Sequence, residues 1–145
     1  TDGPRARAVY FLPPDRRAPV PVAVDLKQPN GVIGTPDGKT LYIADIGAKK
    51  TFAYDIGVDG KLANKRLFCA MGSDGLTIDK RGNIYLTGKG VTVFDAKGRK
   101  IRHIPVDAGW TANVCFGGAG QKTLFITASK KLFGLRMQVK GVGSQ

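Results

Sequence analysis

The amino-acid sequence predicts an all-β fold made of repeated four-stranded antiparallel sheets, as in the blades of a β-propeller. One arrangement occurs three times: a polar lead-in, a short apolar strand, a glycine turn and a second apolar strand. The turn glycines of the three copies are Gly38, Gly82 and Gly120, which are 44 and 38 positions apart. A period near ~40 residues with several strands per unit is typical of propeller blades. In addition, no long stretch shows the i, i+3, i+4, i+7 apolar spacing of a helix.

Composition agrees with this fold class and narrows the functions that fit. The 145 residues include 20 Gly and 8 Pro, distributed between short apolar runs as in an all-β domain. The formal charge is +12, from 23 basic residues against 11 acidic residues, all of which are Asp. The basic residues occur singly or in pairs beside turns, without a basic helix or an aromatic RNA-binding motif. This distribution favours a solvated basic surface over a polyanion site, and nucleic acid is not an expected partner.

The two cysteines and the hydropathy pattern give further expectations. Cys69 and Cys115 fall on outer and inner strands of different units, too far apart for a disulfide, and both are predicted to be buried thiols. No apolar run reaches the ~20 residues that a membrane-spanning helix needs, so no membrane association is expected. No leader is visible. The compartment stays open between the cytoplasm and, if a leader has been removed, the periplasm or the cell exterior.

The first half of the chain contains the end of one blade and one complete blade. Residues 1–27 hold two strand-like pieces and are predicted to be the last two strands of a blade. Residues 28–70 form the clearest blade. Its four predicted strands, from the innermost to the outermost, are 32–34, 41–44, 52–55 and 66–69.

The second half repeats this plan. Residues 73–106 are predicted to be a second blade, with strands at 76–78, 84–86, 91–94 and 101–104. His103, the single histidine, falls on the outer strand and is expected to be a surface residue. Residues 112–139 are predicted to be a third blade with a missing or poor outer strand, followed by a glycine-rich tail at 140–145. The chain thus forms a single partial propeller domain.

Polar residues lead into the innermost strand of each unit, and we call them the mouth residues. Asn30 and Asp74 occupy equivalent positions, 44 residues apart, and Asn113 lies close to the equivalent position of the third unit. Carboxylate and amide oxygens that converge on the axis of a propeller suit a hard divalent cation. The alternative is that Asn30-Gly31 and Asp74-Gly75 are simply turn dipeptides. The spacing alone leaves both interpretations open.

The sequence of these segments resembles the SMP-30/gluconolactonase/luciferin-regenerating-enzyme-like family. The similarity lies in 29–32 (Pro-Asn-Gly-Val), 35–45 (Thr-Pro-Asp-Gly-Lys-Thr-Leu-Tyr-Ile-Ala-Asp), 73–76 (Ser-Asp-Gly-Leu) and 113–118 (Asn-Val-Cys-Phe-Gly-Gly). It covers roughly residues 28–139, in the order and spacing of the C-terminal half of the family. The resemblance implies a six-bladed propeller when complete, of which this chain provides about three and a half blades.

The resemblance also implies a function and a site. Family members are metal-dependent hydrolases of lactones, so a small lactone is the expected substrate. Asn30 and Asp74 match metal ligands, and Asp74 is the candidate catalytic base; substrate-binding residues are not identified. The expected cofactor is a divalent metal, calcium foremost, with zinc, magnesium or manganese as alternatives.

A further ligand of the family, a glutamate, comes from the N-terminal half. This chain has no glutamate. The missing propeller half, in the same protein or a second chain, is therefore an expected partner, and a two-fold assembly of half propellers is the rival. The alternative function is a non-catalytic propeller that binds a protein or a polyanion.

Overall fold

The computed structural model describes residues 7–143, which fold into four antiparallel sheets that follow one another along the chain. The first sheet has two strands, β1 (Val9–Phe11) and β2 (Val20–Ala23). The second sheet has four strands, β3 (Pro29–Gly34), β4 (Thr40–Asp45), β5 (Lys50–Ile56) and β6 (Leu62–Cys69).

The third and fourth sheets repeat this arrangement. The third sheet consists of β7 (Leu76–Ile78), β8 (Ile84–Gly88), β9 (Gly90–Phe94) and β10 (Lys100–Ile104). The fourth sheet consists of β11 (Thr111–Gly117), β12 (Thr123–Ala128) and β13 (Lys131–Arg136). Each strand pairs with the next strand in sequence, so every sheet is a simple meander. The predicted all-β architecture of four-stranded antiparallel sheets is confirmed, and the single helical element between residues 7 and 143 is a 3-10 turn at Ala119–Gln121.

The turn glycines that set the sequence period have the backbone geometry that their position demands. Gly38, Gly82 and Gly120 have φ angles of 68°, 79° and 67°, in the left-handed region that favours glycine. Each follows the first strand of its sheet. Gly38 and Gly82 each donate their N–H to the carbonyl three residues earlier, whereas in the third connection Gln121 is the donor, within a 3-10 turn.

The hydrophobic core consists of three layers, each between two neighbouring sheets. The layer between the first and second sheets includes Leu26, Ile43 and Tyr54. The other two layers hold the clusters Tyr42, Ala44, Ala53, Cys69, Leu76, Ile78, Ile84, Leu86 and Phe94, and Tyr85, Val91, Val93, Val114, Leu124 and Ile126. The third sheet lies between two such layers, and all residues of β8 and β9 are buried. This explains why these two strands are apolar on both faces.

The segment after β13 crosses from the fourth sheet to the third. The N–H of Gly141 donates to the Gln121 carbonyl at 2.8 Å, and the N–H of Lys80 donates to the Lys140 carbonyl at 2.9 Å. Gly141 is buried and forms an isolated β-bridge with Asp79. The first residues of the expected tail thus join the two sheets.

One expectation about the cysteines is wrong. Both are free thiols and Cys69 is buried, but Cys115 is exposed. Cys115 pairs with Phe125 across β11 and β12, on the face of the fourth sheet that points away from the core layer. Within residues 7–143 nothing covers that face, and Leu132, which lies on the same face in β13, is 68% exposed. Cys115 is exposed because its side chain lies on that face, whereas the preceding residue, Val114, is buried in the core layer.

No helix within the described range is long and apolar enough to cross a membrane.

Candidate functional site

The mouth residues lie on or directly before the first strands of three successive sheets. Asn30 is the second residue of β3, Asp74 precedes β7 by two residues, and Asn113 is the third residue of β11. These strands are neighbours in space: the N–H of Gly31 donates to the Ser73 carbonyl at 3.3 Å. The three side chains therefore belong to one end of adjacent innermost strands.

Two of these positions carry a β-bulge. In β3 the register changes between Pro29 and Val32, and in β11 it changes between Thr111 and Asn113. In both cases the first strand has one residue more than its partner. Such a bulge turns a side chain away from the regular alternation and is frequent beside functional sites. Asn30 and Asn113 both lie at these bulges, and both are exposed.

The glycines after Asn30 and Asp74 permit close approach of neighbouring sheets. A Cβ at Gly31 would overlap Leu76 and lie 2.9 Å from the Asp74 carbonyl oxygen. A Cβ at Gly75 would overlap the Asn113 amide and lie 2.8 Å from its Cα. Neither glycine has a left-handed φ. Asn30 and Gly31 lie within β3, and at both pairs the glycine is required by the close packing of neighbouring sheets.

Asp74 is the centre of the site, and both of its carboxylate oxygens accept a hydrogen bond. The Asn30 amide nitrogen donates to Oδ1 at 2.8 Å, and the Trp110 indole N–H donates to Oδ2 at 2.6 Å. Asp74 is half-buried, and the Trp110 side chain is 50% exposed. The two predicted residues, Asn30 and Asp74, are thus in direct contact despite their separation in sequence.

A buried pair of hydroxyl groups holds the Asp74 segment. Thr87, which is fully buried, accepts the Gly75 N–H at 3.0 Å, and its hydroxyl lies 3.1 Å from the Ser73 hydroxyl. Ser73 in turn donates to the Gly75 carbonyl at 2.7 Å and accepts the Thr87 N–H at 2.8 Å. The Thr87 hydroxyl is also 3.3 Å from the Ala112 carbonyl oxygen, next to Asn113. This network fixes the backbone on both sides of Asp74 relative to the fourth sheet.

Asn113 is close to the other two mouth residues but has a different partner. Its side-chain oxygen accepts a hydrogen bond from the backbone N–H of Val114 at 2.8 Å. The structure therefore brings Asn30 and Asp74 into contact and leaves the Asn113 amide oxygen occupied by the backbone.

Sequence reasoning did not identify Trp110, Ser73 or Thr87 as parts of the site. Trp110 is the only tryptophan of the chain and stands three residues before Asn113, which is a signal that could have been noticed. Ser73 adjoins Asp74 directly. Thr87 shows no signal in the sequence, because its contact with Gly75 depends on the pairing of β7 with β8.

The oxygen atoms at this site are of the kind that binds a hard cation, and they would provide part of its ligands. One carboxylate and the amide oxygen of Asn30 are the oxygen donors that calcium prefers, usually as a shell of six to eight. Residues 7–143 contain no group of three or more His, Cys, Asp or Glu side chains placed to hold a metal. Among the mouth residues, the candidate ligands for a cation are the Asp74 carboxylate and the Asn30 amide oxygen.

Comparison with known proteins places the chain in a family. Residues 1–130 match the model of the SMP-30/Gluconolactonase/LRE-like region. A gluconolactonase of Zymomonas mobilis is 30% identical over 148 residues, covering 92% of this chain and 41% of the relative.

Two solved structures have the same fold. A gluconolactonase of Xanthomonas campestris superposes with a TM-score of 0.82 at 36% identity, over 94% of this chain and 46% of the relative. The calcium-binding protein regucalcin of Agrobacterium tumefaciens superposes with a TM-score of 0.82 at 22% identity, over 93% of this chain and 54% of the relative.

The chain therefore spans about half the length of the relatives that it matches. The family model covers most of the chain, in agreement with the resemblance of the four short segments. The chain belongs to the SMP-30/gluconolactonase/LRE-like family.

Proposed function

We propose that this chain provides the Asn30–Asp74 part of the active site of a metal-dependent lactone hydrolase. The observation that carries the proposal is the 2.8 Å hydrogen bond between the side chains of Asn30 and Asp74. Asn30 lies in the first strand of the second sheet, and Asp74 lies just before the first strand of the third sheet. Relatives named gluconolactonase support lactones as the substrate class, and a relative named as calcium-binding supports calcium as the first cation to test.

In this proposal Asn30 offers its amide oxygen and Asp74 a carboxylate oxygen to the cation. A bound divalent cation supplies Lewis-acid polarisation of a carbonyl and makes water more acidic. Asp74 serves a second purpose: its other carboxylate oxygen takes the proton of the attacking water and returns it to the ring oxygen of the lactone when the acyl C–O bond breaks. Each carboxylate oxygen has two lone pairs, so the Trp110 N–H on Oδ2 leaves a position for that proton.

Trp110 acts as a positioning residue for Asp74. Its indole N–H fixes the rotation of the carboxylate, while half of its surface remains exposed beside the site. An exposed indole face is a flat apolar surface on which a lactone ring can lie. The remaining ligands are proposed to come from the propeller half that this chain does not contain, and activity is expected only when that half is present.

The first test is Asp74→Asn in the complete protein that contains this chain. The change keeps the shape and removes the charge, so calcium affinity should fall and turnover of gluconolactone should drop at least ~100-fold, the lower limit for loss of a general base. Asn30→Ala should weaken calcium binding with a smaller loss of turnover at saturating calcium. Asp59→Asn, on an exposed turn between β5 and β6, is the control with the same charge change.

Calcium binding is measured by calorimetry, so that occupancy and turnover are known for each variant. If Asp74→Asn hydrolyses the lactone at the wild-type rate with calcium bound, the proposed role of Asp74 is wrong. If all variants retain wild-type calcium affinity, Asn30 and Asp74 are not its ligands.

A further inference from the structure

A second concave site lies between the third and fourth sheets, at the end of the strands away from Asp74. It is a cleft of about 530 Å³, lined by β10, the end of β13 and residues 137–139. Asp74 precedes β7, whereas Asp79, at the cleft, follows it, so the two sites lie at opposite ends of the innermost strand. The volume falls within the range of roughly 300–1,000 Å³ that is usual for small-molecule sites.

Three arginines face this cleft without an acidic partner. Arg81, Arg102 and Arg136 line it, and no ion pair or side-chain hydrogen bond joins any of them to another residue in the 7–143 range. Elsewhere on the surface two arginines bind an aspartate at 2.7 Å, in the pairs Arg66–Asp55 and Arg99–Asp95. The positive charge of the cleft is therefore not neutralised by salt bridges.

The one carboxylate at the cleft is already committed to other donors. Asp79 is 1% exposed and accepts hydrogen bonds from the N–H groups of Arg81 and Asn83, the Asn83 amide and the Tyr85 hydroxyl. Burial and the Asp79 carboxylate raise the pKa of Tyr85, so this hydroxyl remains a donor to Asp79. Asp79 thus orders the turn that displays Arg81, and the cleft keeps three guanidinium groups against one carboxylate.

The cleft also has an apolar part, which a plain solvated basic surface does not need. Val93 is buried in its wall, and Ile104 and Met137 pack against the same core layer. Guanidinium groups bind carboxylates and phosphates through paired, charge-assisted hydrogen bonds. A ligand that fits both parts has an apolar body and an anionic head with at least two acceptor oxygens.

We propose that this cleft binds a small organic oxyanion, a phosphate monoester or a carboxylate, with its head between Arg81, Arg102 and Arg136 and its apolar body against Ile104 and Met137. The site is separate from the proposed lactone site and does not depend on it. It requires only residues of this chain.

The test is a nuclear magnetic resonance titration of the chain in metal-free buffer. His103 lines the cleft and is the only histidine, so its imidazole C–H signals report on this place alone. Phenyl phosphate should shift these signals in a saturable manner, and benzoate should do the same if the site accepts carboxylates. Benzyl alcohol, which lacks the anionic head, should give no saturable shift, and added sodium chloride should weaken the binding of phenyl phosphate.

Two variants and a matched control locate the binding. Arg102→Gln and Arg136→Gln should each weaken phenyl phosphate binding about tenfold, which corresponds to ~1.4 kcal/mol. Both side chains are exposed, so these changes should leave the fold intact. Arg17→Gln, in the connection between β1 and β2, has the same charge change and should bind as wild type. Absence of a saturable His103 shift with either anion, or equal affinity of all three variants and wild type, would overturn the proposal.

Discussion

Replacement of Thr87 by valine should destabilise the protein by removing a single buried hydroxyl group. Thr87 is fully buried, and valine has nearly the same shape. Ser73 would keep its bonds to the Gly75 carbonyl and the Thr87 N–H, because neither depends on the Thr87 hydroxyl. The Gly75 N–H, however, would lose its acceptor at 3.0 Å. An unsatisfied buried donor costs about 1–3 kcal/mol, so we expect the free energy of unfolding to fall by about 2 kcal/mol.

Thr87→Ser is the matched variant, because it keeps the hydroxyl and removes only the methyl group. The loss of one buried methyl costs about 1 kcal/mol. Urea unfolding followed by the fluorescence of Trp110, the only tryptophan of the chain, would measure both variants. The serine variant should be the more stable of the two. If the valine variant is as stable as the serine variant, the hydroxyl network does not hold the Asp74 segment.

Three other predictions concern packing, pH and thiol accessibility. Gly75→Ala would place a methyl group on the Asn113 side chain and should lower the melting temperature by several degrees, whereas Gly34→Ala, whose Cβ would have no neighbour closer than 3.9 Å, should have little effect. Burial raises the pKa of Asp45, but backbone N–H donors at 2.8–3.0 Å outweigh it and hold the pKa below its ordinary value of 3.8. The stability advantage of wild type over Asp45→Asn should therefore be complete above pH 3.8 and disappear as the pH falls through the lower pKa of the folded state. Unfolding curves of both proteins between pH 7 and pH 2 measure this advantage, and a difference that does not change with pH would contradict the prediction. Finally, an aromatic disulfide reagent should react quickly with Cys115 in the native chain, and with Cys69 only after unfolding. Rapid reaction of both thiols, or of neither, would contradict the exposure of Cys115 and the burial of Cys69.

The strands could be predicted because their signals are local. β8, for example, is a short apolar run that follows a glycine turn. Its burial on both faces could be predicted because apolar and polar residues do not alternate along it. The equivalence of Asn30 and Asp74 could be predicted for a related reason. Residues at the same position of successive repeats lie at the same place in neighbouring sheets. The contact between their side chains confirms that they converge.

The remainder of the site depends on contacts between sheets, which a single sequence does not reveal. Trp110 reaches Asp74 because its segment enters β11 just before the bulge at Thr111 and Asn113. A bulge shifts the register by one residue and has no reliable sequence pattern. The exposure of Cys115 was missed for a different reason, since it depends on what lies beside the fourth sheet and not on the strand itself.

The layered core has a consequence for how stability is distributed in this molecule. In the part of the chain that the structure describes, four sheets in a row share three apolar interfaces, each between sheets that are neighbours in sequence. In such an array the free energy is close to a sum of terms from adjacent units. The inner sheets are held from both sides and the outer sheets from one side, so local opening should start at β1–β2 and at β11–β13. Closing a row into a ring gives every sheet a second neighbour without any new kind of contact. The exposed faces that carry Cys115 and Leu132 at one end, and Tyr10 at the other, are where a docked sheet would suppress this opening.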